Sequence, residues 1–163
     1  MKEQEVLLDV KQLSIAFQQK KQRVPIVHDI SFSIQKGETL GIVGESGCGK
    51  SITSMSLMGL NHQTETTGHI QFEGQNLLSL SEKQWREVRG NDISMIFQEP
   101  MTSLNPLMTI GKQMTEALFT HQTISQKEAK QTTKQLITET KGSTSSTNEV
   151  LFFLPVITIR QNL

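Results

Sequence analysis

The first third of the chain alternates apolar and polar positions in a way that predicts β-strands. Segments 6–17 and 24–34 are rich in Val, Leu and Ile, and their partial alternation is typical of strands with one buried face. The second segment contains Pro25, which has no backbone N–H to donate to a neighbour, so this strand is expected at a sheet edge. The polar residues 18–23 are predicted to form the turn between the two strands.

A continuous apolar run follows at residues 39–43. It has the length and composition of a buried strand, and it leads directly into a glycine-rich segment. Residues 51–60 then have the length and composition of a helix, with Gly59 and Asn61 as stop signals. The sequence therefore predicts a strand, a glycine-rich turn and a helix in immediate succession.

Similar patterns predict the elements of the second half of the chain. Strands are expected at 68–72 and 93–97, a short helix that begins after Ser81 and runs through Trp85 to Val88, and longer helices at 109–120 and 125–140. Two of these helices should begin with a capping box, in which a Ser hydroxyl and a Glu or Gln side chain satisfy the first backbone N–H groups. The pairs are Ser81 with Gln84 and Ser125 with Glu128.

The character of the sequence changes near residue 142. Residues 142–148 form a polar, low-complexity stretch, and residues 150–159 are almost wholly apolar with Pro155 inside. This apolar run has a strand-like composition, but nothing before it in the sequence accounts for it. We therefore expect a domain at 1–141 and a divergent tail at 142–163.

The glycine-rich segment matches the phosphate-loop pattern G-x-x-x-x-G-K-[ST]. Its residues are Gly44, Glu45, Ser46, Gly47, Cys48, Gly49, Lys50 and Ser51. Glycines allow positive φ angles and let backbone N–H groups approach an anion, and the following helix adds the positive end of its dipole. Lys50 is expected to contact the β- and γ-phosphates of a nucleotide, and the Ser51 hydroxyl to bind Mg²⁺.

The bulk composition excludes several classes of function. The chain has 16 basic and 16 acidic side chains, so there is no electrostatic reason to expect nucleic acid as a partner. Cys48 is the single cysteine, which excludes an internal disulfide and a cysteine-based zinc cluster. No apolar run approaches the roughly 20 residues that a membrane-spanning helix needs. We therefore expect a cytoplasmic protein with no direct membrane span.

A second motif, at residues 93–106, narrows the family. Its sequence, ISMIFQEPMTSLNP, resembles the Q loop of ABC ATPases in the form found in the oligopeptide, dipeptide and nickel importer group. Segments 37–40 and 109–111 resemble the same group, and the likeness covers about residues 5–140. It implies an α/β fold of the P-loop NTPase, ABC ATPase type, here incomplete. The expected parts are an N-terminal antiparallel β region, a P-loop core and the start of a helical subdomain.

The resemblance also implies ligands and partners. The cofactors would be ATP and Mg²⁺, with Gln98 contacting the metal beside Ser51 and Phe17 stacking on the adenine. A core position is the alternative for Phe17, and a polar strand end is the alternative for Gln98. The implied partners are a membrane permease subunit and a second ATP-binding subunit. The permease would hold the protein at the inner face of the cell membrane.

Three elements that the family uses for hydrolysis have no counterpart in this sequence. They are an Asp for Mg²⁺ followed by a catalytic Glu, a His near the γ-phosphate, and a glycine-rich signature sequence. The last Asp is Asp92 and the last His is His121, and beyond Thr140 only Gly142 and Glu149 are glycine or acidic. We therefore assign no catalytic residue and expect little or no hydrolysis by this chain alone. Our hypothesis is a truncated product with a frameshift-derived tail, and the alternative is a genuine divergent tail.

Other functions stay open from the sequence alone. The chain would be a non-hydrolysing nucleotide binder or an inert remnant if the missing elements are not supplied. An unrelated P-loop kinase or GTPase is a further alternative, although the guanine-selecting motif N-K-x-D is absent. Because the strand at 39–43 would lack neighbours in the sheet, we also expect a marginally stable or aggregation-prone protein.

Overall fold

The computed structural model describes residues 5–19, 22–97, 104–142 and 156–159. These residues fall into two compact units. The first contains the described residues up to Met95 together with 157–159, and the second contains those from Ile96 to Val156. Among the described helices, none is both long and apolar enough to cross a membrane.

The first unit is built on a four-stranded antiparallel sheet. Its strands are β1 (Val6–Gln19), β2 (Gln22–Gln35), β3 (Thr64–Phe72) and β4 (Gln75–Asn76). They are arranged in the order β2-β1-β3-β4, so β2 lies at an edge, as the proline in that strand predicted. The first two strands are both longer than predicted, because part of the polar segment predicted as a turn belongs to them.

Irregular positions in β1 and β2 are held by two serine hydroxyls. The register of this pair shifts between Val10 and Leu13, and Gln12 there has a φ of 51°. The backbone N–H of Gln12 donates to Ser31 Oγ at 2.9 Å, and the N–H of Asp29 donates to Ser14 Oγ at 2.9 Å. Each hydroxyl therefore satisfies a backbone group that the bulge removes from the regular ladder.

The core of the first unit lies between this sheet and two helices, α1 (Lys50–Leu57) and α2 (Glu82–Val88). The buried side chains come mainly from β1, β3, α2 and the C-terminal end of α1. They are Leu7, Leu8, Val10, Leu13, Ile15, Val27, Leu57, Met58, Ile70, Phe72, Leu77, Trp85, Val88 and Ile93. The predicted capping box at Ser81 is present and begins α2. A 3-10 turn at Leu77–Ser79 connects the sheet to that helix.

A separate two-stranded sheet pairs β5 (Ile93–Ile96) with β6 (Val156–Ile159). β5 falls within the strand predicted at 93–97, and β6 falls within the apolar run at 150–159, for which only a strand-like composition was noted. The predicted low-complexity stretch at 142–148 lies outside the described residues except for its first residue. The start of the apolar run, at 150–155, lies outside them entirely.

The prediction of a buried strand at residues 39–43 is wrong. Residues 38–45 have no regular secondary structure, and the side chains of Leu40, Ile42 and Val43 are 39%, 37% and 85% exposed. A strand needs a partner for its backbone N–H and C=O groups, and within the part of the chain that the structure describes no strand pairs with this segment. Its apolar composition is that of a central strand, but its surroundings are those of a loop.

The described residues of the second unit include two helices, α3 (Ile110–His121) and α4 (Gln126–Gly142). The Thr109 hydroxyl caps α3 by accepting the backbone N–H of Lys112. The second predicted capping box is also present, since Ser125 and Glu128 exchange hydrogen bonds at the start of α4. The Ser125 hydroxyl and N–H stabilise the Glu128 carboxylate and hold its pKa below the ordinary value of 4.5.

Candidate phosphate-binding site

The glycine-rich loop connects the irregular segment 38–45 to α1 in the first unit. Gly47 and Gly49 have φ angles of 83° and 96°, in the left-handed region that residues with a side chain rarely adopt. Gly49 is the N-cap residue of α1. The motif therefore uses at least two of its glycines for backbone conformation, as predicted.

Two glycines of the loop also lie close to neighbouring side chains. A Cβ on Gly49 would lie 2.8 Å from Val27 Cγ2 on β2, which places the start of α1 against the sheet. A Cβ on Gly44 would lie 2.8 Å from Cys48 Sγ within the loop. The first contact fixes the loop relative to the sheet, and the second makes the loop compact.

The side chain of Lys50 folds back over the loop. Its Nζ donates to the carbonyl oxygens of Gly44 at 2.7 Å and Glu45 at 2.6 Å, and lies 3.5 Å from Cys48 Sγ. A charge-assisted hydrogen bond is stronger than a neutral one, so these contacts hold the ammonium group over the loop. The only strong positive charge of the motif is thereby positioned before any ligand arrives.

The first backbone N–H groups of α1 are available to an anion. The earliest helical bond runs from the N–H of Thr53 to the carbonyl of Gly49, at 2.9 Å, so the N–H groups of residues 50–52 precede the ladder. Gly49 provides no capping side chain for them. The Thr53 hydroxyl also donates to the Gly49 carbonyl, at 2.9 Å. The unbonded amide donors and the positive end of the helix dipole thus lie at the end of the loop whose carbonyls hold the lysine.

This arrangement suits the phosphates of a nucleotide with its magnesium ion. The loop offers amide donors and an ammonium group, and the first turn of α1 has no acidic residue. Ser51 is exposed next to Lys50 at the start of α1, so its hydroxyl is free to bind a cation held by phosphate oxygens. When bound, the ion would neutralise charge on those oxygens.

The other two residues implied by the resemblance are Phe17 and Gln98, neither of which belongs to the loop. Phe17 pairs with Val24 of β2 and Thr64 of β3 near the end of β1, and its side chain is 37% exposed. It is therefore not a fully buried core residue. Gln98 lies outside the described residues, two positions after β5 ends at Ile96. Within the described ranges, no group of three or more His, Cys, Asp or Glu side chains could hold a metal ion.

The glycine-rich loop, the helix that it begins and the adjoining antiparallel sheet define a P-loop nucleotide-binding domain of the ATP-binding cassette type. The family model described as ABC transporter matches residues 27–151, and the chain therefore belongs to the ABC transporter family. The resemblance drawn from the two sequence motifs is confirmed. The alternative of an unrelated P-loop kinase or GTPase is wrong.

Relatives in sequence are ATP-binding proteins of peptide transport. The chain is 48% identical over 134 residues to the oligopeptide transport ATP-binding protein AppD of Bacillus subtilis, which covers 80% of this chain and 41% of the relative. It is 50% identical over 120 residues to the dipeptide transport ATP-binding protein DppD of Lactococcus lactis, covering 72% and 34%. Identity to the oligopeptide transport ATP-binding protein OppD of Bacillus subtilis is 49% over 134 residues, covering 80% and 37%. The chain thus spans about two fifths or less of the length of these relatives.

A solved structure has the same fold. The ATP-binding cassette MJ0796, in a dimeric post-hydrolysis state bound to ADP and Pi, superposes with a TM-score of 0.66 at 18% sequence identity. The match covers 83% of this chain and 57% of that chain. This likeness supports the fold class, an α/β P-loop domain of the ABC ATPase type.

Proposed function

We propose that the chain is the nucleotide-binding part of an ABC importer subunit for peptides or a related solute, and that it holds Mg-ATP at its phosphate loop. The observation that carries this proposal is the position of Lys50 Nζ, bonded to the Gly44 and Glu45 carbonyls beside the free amides at the start of α1. The names of the relatives provide the solute class.

Different residues are proposed to bind the phosphates, the magnesium ion and the adenine. The phosphates would be held by the whole loop from Gly44 to Ser51, with Lys50 on the β- and γ-phosphates. The magnesium ion would be held by Ser51 and Gln98, and the adenine would stack on Phe17, whose ring is partly exposed. No residue of this chain is proposed as catalytic. An importer of this class would further need a membrane permease subunit and a second ATP-binding subunit, and the permease would place the chain at the cytoplasmic face of the membrane.

The organisation expected from the sequence also remains part of the proposal. It assigns residues 1–141 to the ATP-binding domain and residues 142–163 to a divergent tail. The second candidate function is a nucleotide binder without turnover, and it is favoured by the sequence, in which the last Asp, Asp92, precedes the Q-loop motif. An inert remnant is the third, and it predicts no binding at all.

Isothermal titration calorimetry of the 163-residue chain with Mg-ATP tests the proposal. We expect saturable binding that Lys50→Ala weakens by at least about tenfold, since a hydrogen bond to a charged group contributes roughly 1.5–3 kcal/mol. The matched control is Lys83→Ala, an exposed lysine on α2, which should bind like the unmodified chain. Equal binding by the Lys50→Ala variant would refute the assigned site.

Two additions to this titration separate the candidate functions. ADP should compete with ATP, whereas adenosine should compete poorly, because the loop contacts phosphates. Phosphate release by the same samples measures turnover. Binding with negligible release supports the non-hydrolysing binder, and release at the rate of an intact transport ATPase contradicts our expectation that this chain alone is inactive.

A further inference from the structure

The C-terminal end of α1, opposite the phosphate loop, is capped by a hydrogen-bond network whose residues lie outside the sequence motifs. Gly59 has a φ of 60°, its N–H donates to the Ser56 carbonyl at 3.1 Å, and the N–H of Leu60 donates to the Met55 carbonyl at 2.9 Å. These are the two bonds of a Schellman motif, which ends a helix at a left-handed glycine. The carbonyls of Met58 and Gly59 then point beyond the helix without helical partners.

Arg89 supplies those partners from the residue after α2. Its Nε donates to the Met58 carbonyl at 2.7 Å and its Nη2 donates to the Gly59 carbonyl at 2.7 Å. Its Nη1 also lies 3.4 Å from a carboxylate oxygen of Glu82. A guanidinium group can bond two neighbouring carbonyls at once because its donors form a rigid planar fork, which a lysine lacks. The positive charge also lies at the negative end of the helix dipole.

Trp85 contacts both Arg89 and Gly59 at this end of the helix. The Arg89 guanidinium carbon lies 4.7 Å from the centre of the Trp85 ring, which is within cation–π range. The ring is buried and packs so closely on Gly59 that a Cβ there would lie 2.5 Å from Trp85 Cε2. Arg89 is thus held between the tryptophan ring and the two carbonyls, with a side chain only 21% exposed.

Helix α1 is therefore fixed at both ends by close contacts. At its N-terminus Gly49 packs on Val27, and at its C-terminus Gly59 packs on Trp85. The helix has eight residues, about 12 Å at a rise of 1.5 Å per residue, so it moves as a short rigid rod. We expect a displacement at the Arg89 end to reach the end that carries the phosphate loop.

We propose that Arg89 is a positioning residue for the phosphate loop, acting through α1 and contacting no nucleotide. The predicted effect of Arg89 on ATP binding rests on the proposed function. The predicted effect of Arg89 on the geometry of the loop does not. Removing the guanidinium leaves two carbonyls and one face of the Trp85 ring without their partner, and α1 then loses its fixed orientation. The loop would present its amides and Lys50 less precisely to the phosphates.

Cys48 offers a test of loop geometry that needs no nucleotide. It is the single cysteine of the chain, it is exposed, and it lies inside the loop. The rate at which its thiol reacts with a disulfide reagent therefore reports how the folded loop presents it. The variants are Arg89→Ala, Arg89→Lys and the matched control Arg86→Ala, an exposed arginine on α2. The thiol reaction rate of each variant is measured at a temperature well below the unfolding midpoint of that variant.

For Arg89→Ala we expect a thiol reaction about fivefold faster and Mg-ATP binding about fivefold weaker, within the range by which residues remote from a site alter it. Arg89→Lys should be intermediate, because it keeps the charge without the fork, and Arg86→Ala should match the unmodified chain. A variant that lowers only the unfolding midpoint, with both other quantities unchanged, overturns the proposal. If Arg89→Ala does not fold, Arg89→Lys decides by the same criteria. A chain that binds no ATP refutes the proposed function, while the thiol rates still decide the role of Arg89.

Discussion

Lys50 Nζ lies 2.7 Å from the carbonyl oxygen of Gly44, so the first and the seventh residues of the motif are bonded to each other. They meet because the Lys50 side chain folds back from the start of α1 over the loop. A lysine held in this way keeps its positive charge at the loop that is proposed to bind phosphate. This contact links the sequence pattern to the chemistry that the site is proposed to perform.

Replacing Gly49 by Ala should damage both the fold and the loop. Its φ of 96° is costly for a side chain, and the new Cβ would lie 2.8 Å from Val27 Cγ2. We expect a loss of about 1–2 kcal/mol in the free energy of unfolding from the left-handed backbone, with a further cost from crowding. Urea denaturation measures this loss. The matched control is Gly41→Ala, where a Cβ has nothing within 4 Å, and an equal loss there would contradict the argument.

A second pair of glycines separates backbone strain from steric overlap. Gly68 and Gly74 have φ angles of 107° and 80°, but only a Cβ on Gly68 meets an obstacle, the Gln12 carbonyl oxygen at 2.5 Å. Gly68→Ala should therefore lower the unfolding free energy by at least about 1 kcal/mol more than Gly74→Ala does. Thermal or urea unfolding of the two variants gives the comparison. Equal costs would mean that the bulge in β1 yields to the new methyl group.

The capping box of α4 should give a measurable pH dependence. Because bonds from Ser125 hold the pKa of Glu128 below 4.5, the charged form is favoured in the folded state. Its contribution to stability is present above pH 4.5 and is lost as pH falls through the lowered pKa. Ser125→Ala should return that pKa toward its ordinary value, as read from carboxyl NMR shifts. Thr123→Ala, an exposed change before the same helix, should leave it lowered, and no difference between the variants would reject the assignment.

The exposed apolar segment at 39–43 should promote self-association of the 163-residue chain. Val43 is 85% exposed in a segment with unpaired backbone, which is the usual setting for strand addition from another molecule. Val43→Lys should shift sedimentation velocity profiles toward monomer with little change in the unfolding midpoint. Leu107→Lys removes a side chain that is 92% exposed in the second unit. If it has the same effect, general hydrophobicity and not the open segment drives association.

Local patterns were sufficient to predict much of this structure. The alternation of β1 and the two capping boxes involve residues close together in sequence, and the phosphate loop is contained in eight consecutive positions. The prediction of a buried strand at 39–43 was wrong because burial depends on neighbours from elsewhere in a chain, and composition does not reveal those neighbours.

The contacts that hold the site in place are the part that sequence reasoning missed. Val27 meets Gly49 and Arg89 meets Met58 and Gly59 across 22 to 31 positions. No local signal in the sequence showed that Trp85 would meet Arg89 and Gly59. An arginine just after a short helix is a weak hint of a capping role, since basic side chains favour helix C-termini, but nothing in the pattern identifies which helix it caps.

Amide hydrogen exchange with and without Mg-ATP is the most direct test of the central claim, that residues 44–51 hold the phosphates. Binding should slow exchange of the backbone amides at 47–51 and leave those of α3 unchanged, and Lys50→Ala should abolish the effect at the same nucleotide concentration. Bound ATP with no change at 47–51, or with protection confined to α3, would contradict the account.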